Sequence, residues 1–327
     1  MEFKDITIKL RERFCKDTNI PINIFIEPYF SERLEYIDNV LPEKNYKQKW
    51  LNFLSMLRDF NNEQDYFEYY NNVKEQAIQY IKNSQGYQDF NNEDMNKYKC
   101  NIGETHKNLV KSIYQDQFIG NKTYISIDIC KANFNCLRKY DKTIFNNAPT
   151  WEDFLKNFTK YQYILDSKYI RQVVLGNCNP GRVITYETYI ASLICKKVEE
   201  YVPSAKLICF TTDEVIFDIP VLDRHLILNA VLEINKLDVK TKFDIFSLSK
   251  IDGDFQGYIR HLYNDFGGGN YEEDHSEYKG LEGNFAYLII KTLLDKDKIT
   301  ENDLVFEFEK KHYCKLLKPI KVDIVEV

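Results

Sequence analysis

Thr212-Asp213-Glu214 lies between two short apolar runs in Leu207-Ile-Cys-Phe-Thr-Thr-Asp-Glu-Val-Ile-Phe-Asp-Ile219, a pattern that predicts a β-hairpin with adjacent carboxylates at its tip. Adjacent acids repel each other unless a cation neutralises them, and in enzymes a pair of divalent metals often does so. A second acid, Asp128, falls at the end of the alternating run Tyr124-Ile-Ser-Ile-Asp-Ile129. Between them, Gly181-Arg-Val-Ile-Thr185 follows the turn Asn177-Cys-Asn-Pro-Gly181 and enters a helical pattern. Two-metal phosphoryl transfer needs carboxylates from neighbouring strands, because metals about 3.5–4 Å apart share ligands across a gap. One strand acid and one hairpin acid pair meet that demand. Taken singly, each feature is ordinary: a strand-end Asp caps helices, and Asp-Glu and Pro-Gly form common turns.

The elements that must hold these residues follow from periodicity. Ile125, Ile127 and Ile129 alternate with Tyr124, Ser126 and Asp128, which is a strand signal. Helical spacing then resumes with Ala132, Phe134 and Leu137, and again over 151–165. Residues 169–175 are expected as a short strand. A helix is expected over 183–201, with Ile190, Ile194, Val198 and Tyr201 on its apolar face. After the hairpin, a helix over 221–237 and a strand over 243–248 are expected. A Gly-rich acidic loop over 267–283, containing Gly267-Gly-Gly269 and Glu272-Glu-Asp274, precedes a helix over 284–294. Strands at 304–308 and 321–325 close the chain. Upstream, residues 1–120 are mostly helical. Trp50, Phe53, Leu54, Leu57 and Phe60 mark one amphipathic helix; Tyr66, Tyr69, Val73, Ala77 and Ile81 mark a second. A polar loop over 89–100 and a short helix over 104–114 follow. The order implies an α+β core behind a helical N-terminal region.

The sequence of stations resembles the palm domain of reverse transcriptases and viral RNA-dependent RNA polymerases. That family has a strand aspartate, a Gly-x-x-x-Ser/Thr turn entering a helix, and a hairpin Asp pair. Here 53 residues separate Asp128 from Gly181 and 32 separate Gly181 from Asp213. The resemblance covers about 90 to 120 residues of the middle of the chain. The hairpin carries Asp-Glu where the family favours two aspartates, and so also looks like the Ser-x-Asp-Glu of translesion DNA polymerases. In those polymerases the first acid lies near the N-terminus, so the long region before Asp128 fits the former family better.

The resemblance implies a palm-like antiparallel sheet with packed helices over 121–250, a fingers-like region over 1–120 and a thumb-like α+β region over 251–327. It implies a template-directed nucleotidyltransferase that adds nucleotides with Mg²⁺ or Mn²⁺ bound by Asp128 and Asp213, with Glu214 auxiliary. Its partners would be nucleoside triphosphates and a nucleic-acid template and primer. Asn133 lies five residues after Asp128, where DNA-making palms carry a bulky aromatic and RNA-making palms tend to carry Asp or Asn. Ribonucleotides are therefore the expected substrates, with Phe134 the alternative gate. Gly181 and Thr185 would line the substrate site. Lys107, Lys111, Lys122 and Arg171 are candidates for holding the triphosphate, and Lys250 for protonating pyrophosphate. Two alternatives stay open: a non-enzymatic viral or mobile-element protein that keeps a palm-like fold for interaction, and a metal-dependent nuclease using the same acids.

The bulk composition agrees with an ordinary globular protein. The 327 residues suit two or three subdomains, with 44% apolar and 29% charged residues. A net charge of −6 excludes a globally basic nucleic-acid binder, though an acidic palm with a locally basic groove gives the same sum. The eight cysteines include no Cys-x-x-Cys pair, and His261, His275 and His312 with Cys314 lack zinc spacing. The acidic, mixed opening Met1-Glu-Phe-Lys-Asp5 and the lack of a long apolar run predict an intracellular, cytoplasmic protein with no membrane span.

Overall fold

The computed structural model describes residues 6–120, 122–220, 223–264, 272–295 and 298–325. Gly267-Gly-Gly269 and Val221, each placed in an element above, lie outside them. The N-terminal region is mostly helical, with α1 (Ile8–Thr18), α2 (Tyr29–Val40), α3 (Tyr46–Leu57), α4 (Glu63–Asn83), α5 (Gln85–Asn92) and the single turn α6 (Ile102–Thr105). Local chemistry sets the starts of three of these. Thr7, Asn62 and Ser84 each sit at the N-cap and accept from the amide three residues on, satisfying a donor that has no partner within the helix.

Next come β1 (Tyr124–Ile129), α7 (Ala132–Tyr140), α8 (Trp151–Leu155), α9 (Gln162–Leu165), α10 (Lys168–Gly176) and α11 (Pro180–Tyr201). The hairpin β2 (Lys206–Phe210) and β3 (Glu214–Asp218) leads to α12 (Arg224–Asn235), β4 (Thr241–Gly253), β5 (Gly257–Asn264) and β6 (Glu272–Lys279). α13 (Ala286–Leu294), β7 (Val305–Phe308), β8 (His312–Lys315) and β9 (Val322–Val325) complete the chain. The fold is α+β. Its main sheet is antiparallel in the order β2-β3-β1-β4-β5-β6, with β9 pairing along the far end of β4. β7 and β8 form a separate two-stranded sheet. Among the described residues no helix is long and apolar enough to cross a membrane.

Alternation along the strands gives the sheet two unlike faces. Ile125, Ile127, Ile129, Val215, Phe217 and Ile245 join one continuous core with the helices, from Leu10 of α1 to Ile290 of α13. Trp151, Phe134, Phe145 and Phe154 are fully buried in it, with ring centroids 4.6–6.1 Å apart. The opposite face carries Tyr124, Ile216, Phe246, Leu248 and Leu262 as a smaller apolar cluster, and polar residues toward one end. A strap of chain, residues 99–118, covers that cluster with Ile113 and with the partly buried Val110, Tyr114 and Phe118. The strap is tied to the hairpin edge by Val110 N–H donating to Ile208 C=O at 2.9 Å.

Four expectations are corrected. Residues 169–175 belong to helix α10, because Ser167 caps it and Ile170 and Val174 bury one helical face. The helix expected over 104–114 is only the turn α6 followed by the strap; the strand edge of β2 competes for its backbone. The loop over 89–100 instead contains the end of α5 and a 3₁₀ turn, Met95–Tyr98. Residues 272–274 open strand β6, whose backbone pairs with β5 instead of forming a loop.

Candidate active site

The hairpin connection puts the two acid stations beside each other. β3 pairs antiparallel with β1 so that Asp128 stands opposite Glu214, and the Ile129 amide donates to the Asp213 carbonyl at 2.8 Å. The tip is held by its threonines. Thr211 exchanges backbone and side-chain hydrogen bonds with Glu214, accepting its amide at 2.9 Å, while the Thr211 and Thr212 hydroxyls donate to Asp213 Oδ1 at 3.3 and 3.4 Å. β1 then turns sharply into α7 through Lys131 in the left-handed region, and Asn135 Nδ2 donates to the Cys130 carbonyl. On its other side Asp128 faces Lys242 of β4.

The electrostatics are those of a site short of positive charge. Burial pushes the Asp128 carboxyl up to about 6, reinforced by Asp213 and Glu214 and opposed by Lys242. Discounted for the solvent that reaches this half-buried carboxyl, the displacement favours the neutral acid by about 2 kcal/mol. Glu214 is differently placed: it accepts from Ser126 Oγ and lies 3.7 Å from Arg260, whose guanidinium also reaches Asp244 at 3.3 Å and Glu277 at 3.9 Å. Glu214 therefore turns along the sheet toward Arg260, and Asp128, Asp213 and Glu214 do not form a tight three-ligand cluster.

No protein-family model matches the chain, and no curated protein matches it in sequence. The chemistry of the site rests on its own geometry.

The remaining candidates separate by place. Gly181 is the second residue of α11, and a Cβ there would meet nothing within 4 Å, so the fold itself does not require glycine. Thr185 donates to the Gly181 carbonyl at 3.0 Å on an exposed turn. Asn133 is partly exposed at the start of α7, with its side chain accepting from the Phe134 amide. Phe134 is 1% exposed and packs on Phe145 and Trp151, which removes it from any substrate gate. Lys107 and Lys122 line a depression with Lys206 and Asp218. Asp218 pairs with Tyr124 at the opposite end of β1, about 14 Å along the strand from Asp128. Lys111 lies on the same strap.

Lys250 is eight residues along β4 from Lys242, about 27 Å away, and pairs with Asp116 at 2.7 Å. Distance excludes it from the acids. Arg171 sits in α10 with its Nε buried and without a hydrogen-bond partner; burial lowers its pKa, opposed by Glu152, which also pairs with Lys131.

Two functional candidates escape a motif-based reading. Lys242 is opposite Asp128, and the neighbouring Lys240 carbonyl accepts from the Cys130 amide at 2.9 Å. The other is Glu187 on α11, 7% exposed, whose carboxyl is pushed up to about 7 by burial and by Asp213. Its signal is an acid inside the apolar stripe Val183, Ile190, Ile194 and Val198. A carboxyl raised by folding binds its proton more tightly in the native state. The stability this adds is present below about pH 4.5 and is lost as pH rises through about 7. Glu187→Gln is thus expected to stabilise the metal-free protein by about 2–3 kcal/mol at pH 8 and by almost nothing at pH 4. Urea unfolding at the two pH values checks this; equal effects at both would assign the change to packing.

Proposed function

We propose that the chain is a template-directed nucleotidyltransferase of the palm type, acting on ribonucleotides through Asp128 and Asp213. The observation that carries this is the strand order β2-β3-β1-β4, which joins the hairpin acids to the strand acid at one end of an antiparallel sheet with α11 behind them. The donor set fits Mg²⁺ or Mn²⁺: hard carboxylate oxygens, one of them held up to about 6 by burial and by the neighbouring acids. Asp128 and Asp213 would hold the ions, which when bound lower the pKa of a primer hydroxyl and neutralise charge on the triphosphate.

The chain's own residues do the rest. The β1–β3 pairing and the Ile129 amide bond to the Asp213 carbonyl fix the backbones of Asp128 and Asp213 in relation to one another. Glu214, engaged by Ser126 and Arg260, acts as a support of the hairpin. Lys242, opposite Asp128 and paired with Asp244 at 2.9 Å, would supply the cationic group for a polyphosphate in place of Lys250. Asn133, partly exposed at the start of α7, would give the ribose 2′-hydroxyl a polar partner.

The test is incorporation of labelled ribonucleotides and deoxyribonucleotides on primed and unprimed RNA and DNA templates with Mg²⁺ or Mn²⁺. Template-dependent extension by the wild type and its loss in Asp213→Asn are expected. Degradation of the template without incorporation would favour a nuclease. No reaction by well-folded wild type, or equal reaction by the variant, would defeat the proposal. Use of deoxyribonucleotides alone would overturn the assignment of Asn133.

A further inference from the structure

A second cluster of ligating side chains lies away from the Asp128 site, where the strap crosses α11. His106, just after α6, places Nε2 3.1 Å from Glu199 Oε1. Cys195 is one helical turn before Glu199 on α11, so the two side chains project from the same face. The three ligand atoms lie within 4.8 Å of one another, and among the described residues they are the only such trio. Cys195 is 1% exposed, while the His106 and Glu199 side chains are 23% and 34% exposed. The cluster is therefore a shallow cup with a sulfur at its base and nitrogen and oxygen at its rim.

We propose that His106, Cys195 and Glu199 bind one Zn²⁺ ion, which fastens the strap to α11. The donor types select the metal: thiolate, imidazole and carboxylate together suit zinc, whereas Mg²⁺ prefers oxygen alone. Tetrahedral zinc with bonds of about 2.0–2.3 Å separates its ligand atoms by about 3.3–3.8 Å; with His106 and Glu199 3.1 Å apart and all three atoms within 4.8 Å, side-chain shifts of about 1 Å or less close the trio on the ion. Charge also balances, because a thiolate and a carboxylate together neutralise the dication. On binding, the Cys195 thiol releases one proton to solvent, and the His106 ring binds through its neutral Nε2. Water fills the fourth position on the exposed side.

The consequence for the fold follows from what the strap touches. Beyond His106 it pairs with β2 through Val110, buries Ile113 and holds Asp116 against Lys250 and Tyr258 at 2.7 and 3.1 Å. A further hydrogen bond from the strap to α11 is weak, a Cys100 thiol donating to the Thr188 carbonyl at 3.6 Å. A surface His–Glu pair alone adds little stability; a metal at that point fixes the root of the whole strap.

The experiment titrates Co²⁺, then Zn²⁺, into full-length protein stripped by chelator. One equivalent of Co²⁺ is expected to produce a near-ultraviolet thiolate-to-cobalt charge-transfer band that Zn²⁺ bleaches. Cys195→Ser and His106→Ala should each weaken binding at least about 100-fold, while Cys314→Ser leaves it unchanged. Zinc should also slow proteolytic cleavage within residues 99–118 of the wild type and not of His106→Ala. Absence of a stoichiometric band in the wild type would overturn the proposal. So would a band of equal strength in Cys195→Ser, which would assign it to other thiols. Circular dichroism verifies folding; should Cys195→Ser fail it, His106→Ala decides, since that ring lies outside the core.

Discussion

Asp128→Asn is expected to lower nucleotide incorporation at least about a thousandfold and, at the same time, to stabilise the metal-free protein above pH 6. The two effects share one cause. Folding forces Asp128 into a half-buried position beside Asp213 and Glu214, and its carboxyl rises to about 6. Its stabilising contribution, complete below the ordinary carboxylate range near 3.8, is lost as pH rises through about 6. The amide cannot ionise, so the variant avoids that loss and gains about 2 kcal/mol at pH 8. It also removes a negative ligand from the metal position, and a thousandfold rate loss corresponds to about 4 kcal/mol of transition-state stabilisation. Melting temperature and extension rate measured on the same samples test the coupling. If both fall together, Asp128 is a structural residue and the site lies elsewhere. Asp213→Asn should match the rate loss, because its Thr211 and Thr212 contacts fall on an oxygen that the amide retains. Glu214→Gln should cost far less, since Glu214 faces Ser126 and Arg260.

The parts of this site legible in the sequence were those written in local period. Tyr124 to Ile129 alternates with no competing pattern, and the acid pair between two apolar runs permits few structures besides a hairpin. Both elements formed as expected. Residues 169–175 misled because Ile170, Val173 and Val174 have strand-like side chains, while the decisive signals were the Ser167 cap and burial against the helices. The lysines misled for a different reason. Order along the chain points to Lys107, Lys122 and Lys250, but Lys250 lies far along β4, and Lys107 on the strap and Lys122 before β1 line a depression with Asp218 at the other end of β1 from Asp128. The apolar pattern starts the strand at Phe243, two residues after β4 begins, and so does not reveal that Lys242 pairs with Asp128. His106, Cys195 and Glu199 meet only through tertiary packing, so no spacing rule reaches them.

Arg260→Met is expected to destabilise the protein by about 3 kcal/mol, more than any exposed charge on the sheet. Arg260 is 6% exposed and lies over the Phe246 ring at 4.1 Å, with Glu214, Asp244 and Glu277 around it. Exposed ion pairs contribute little, but removing one member of a buried set leaves carboxylates desolvated without compensation. The three acids are not equally exposed to that loss. Asp244 keeps Lys242 at 2.9 Å and Glu277 keeps Lys279 at 3.0 Å, whereas among the described residues the Glu214 carboxylate retains only Ser126. Most of the cost should therefore fall on Glu214, and Glu214→Gln in the Arg260→Met background should restore at least half of it. Urea unfolding of the two single variants and the double variant closes the cycle. An Arg260→Met loss below about 1 kcal/mol would mean that solvent reaches the cluster and screens it. A full loss that Glu214→Gln does not relieve would move the cause to the Phe246 packing. The same cycle bears on catalysis, because Arg260 is what turns Glu214 away from Asp128 and Asp213. Freed of it, Glu214 can swing toward the metal position, so Arg260→Met should bind divalent ions at least as tightly as the wild type although it is less stable.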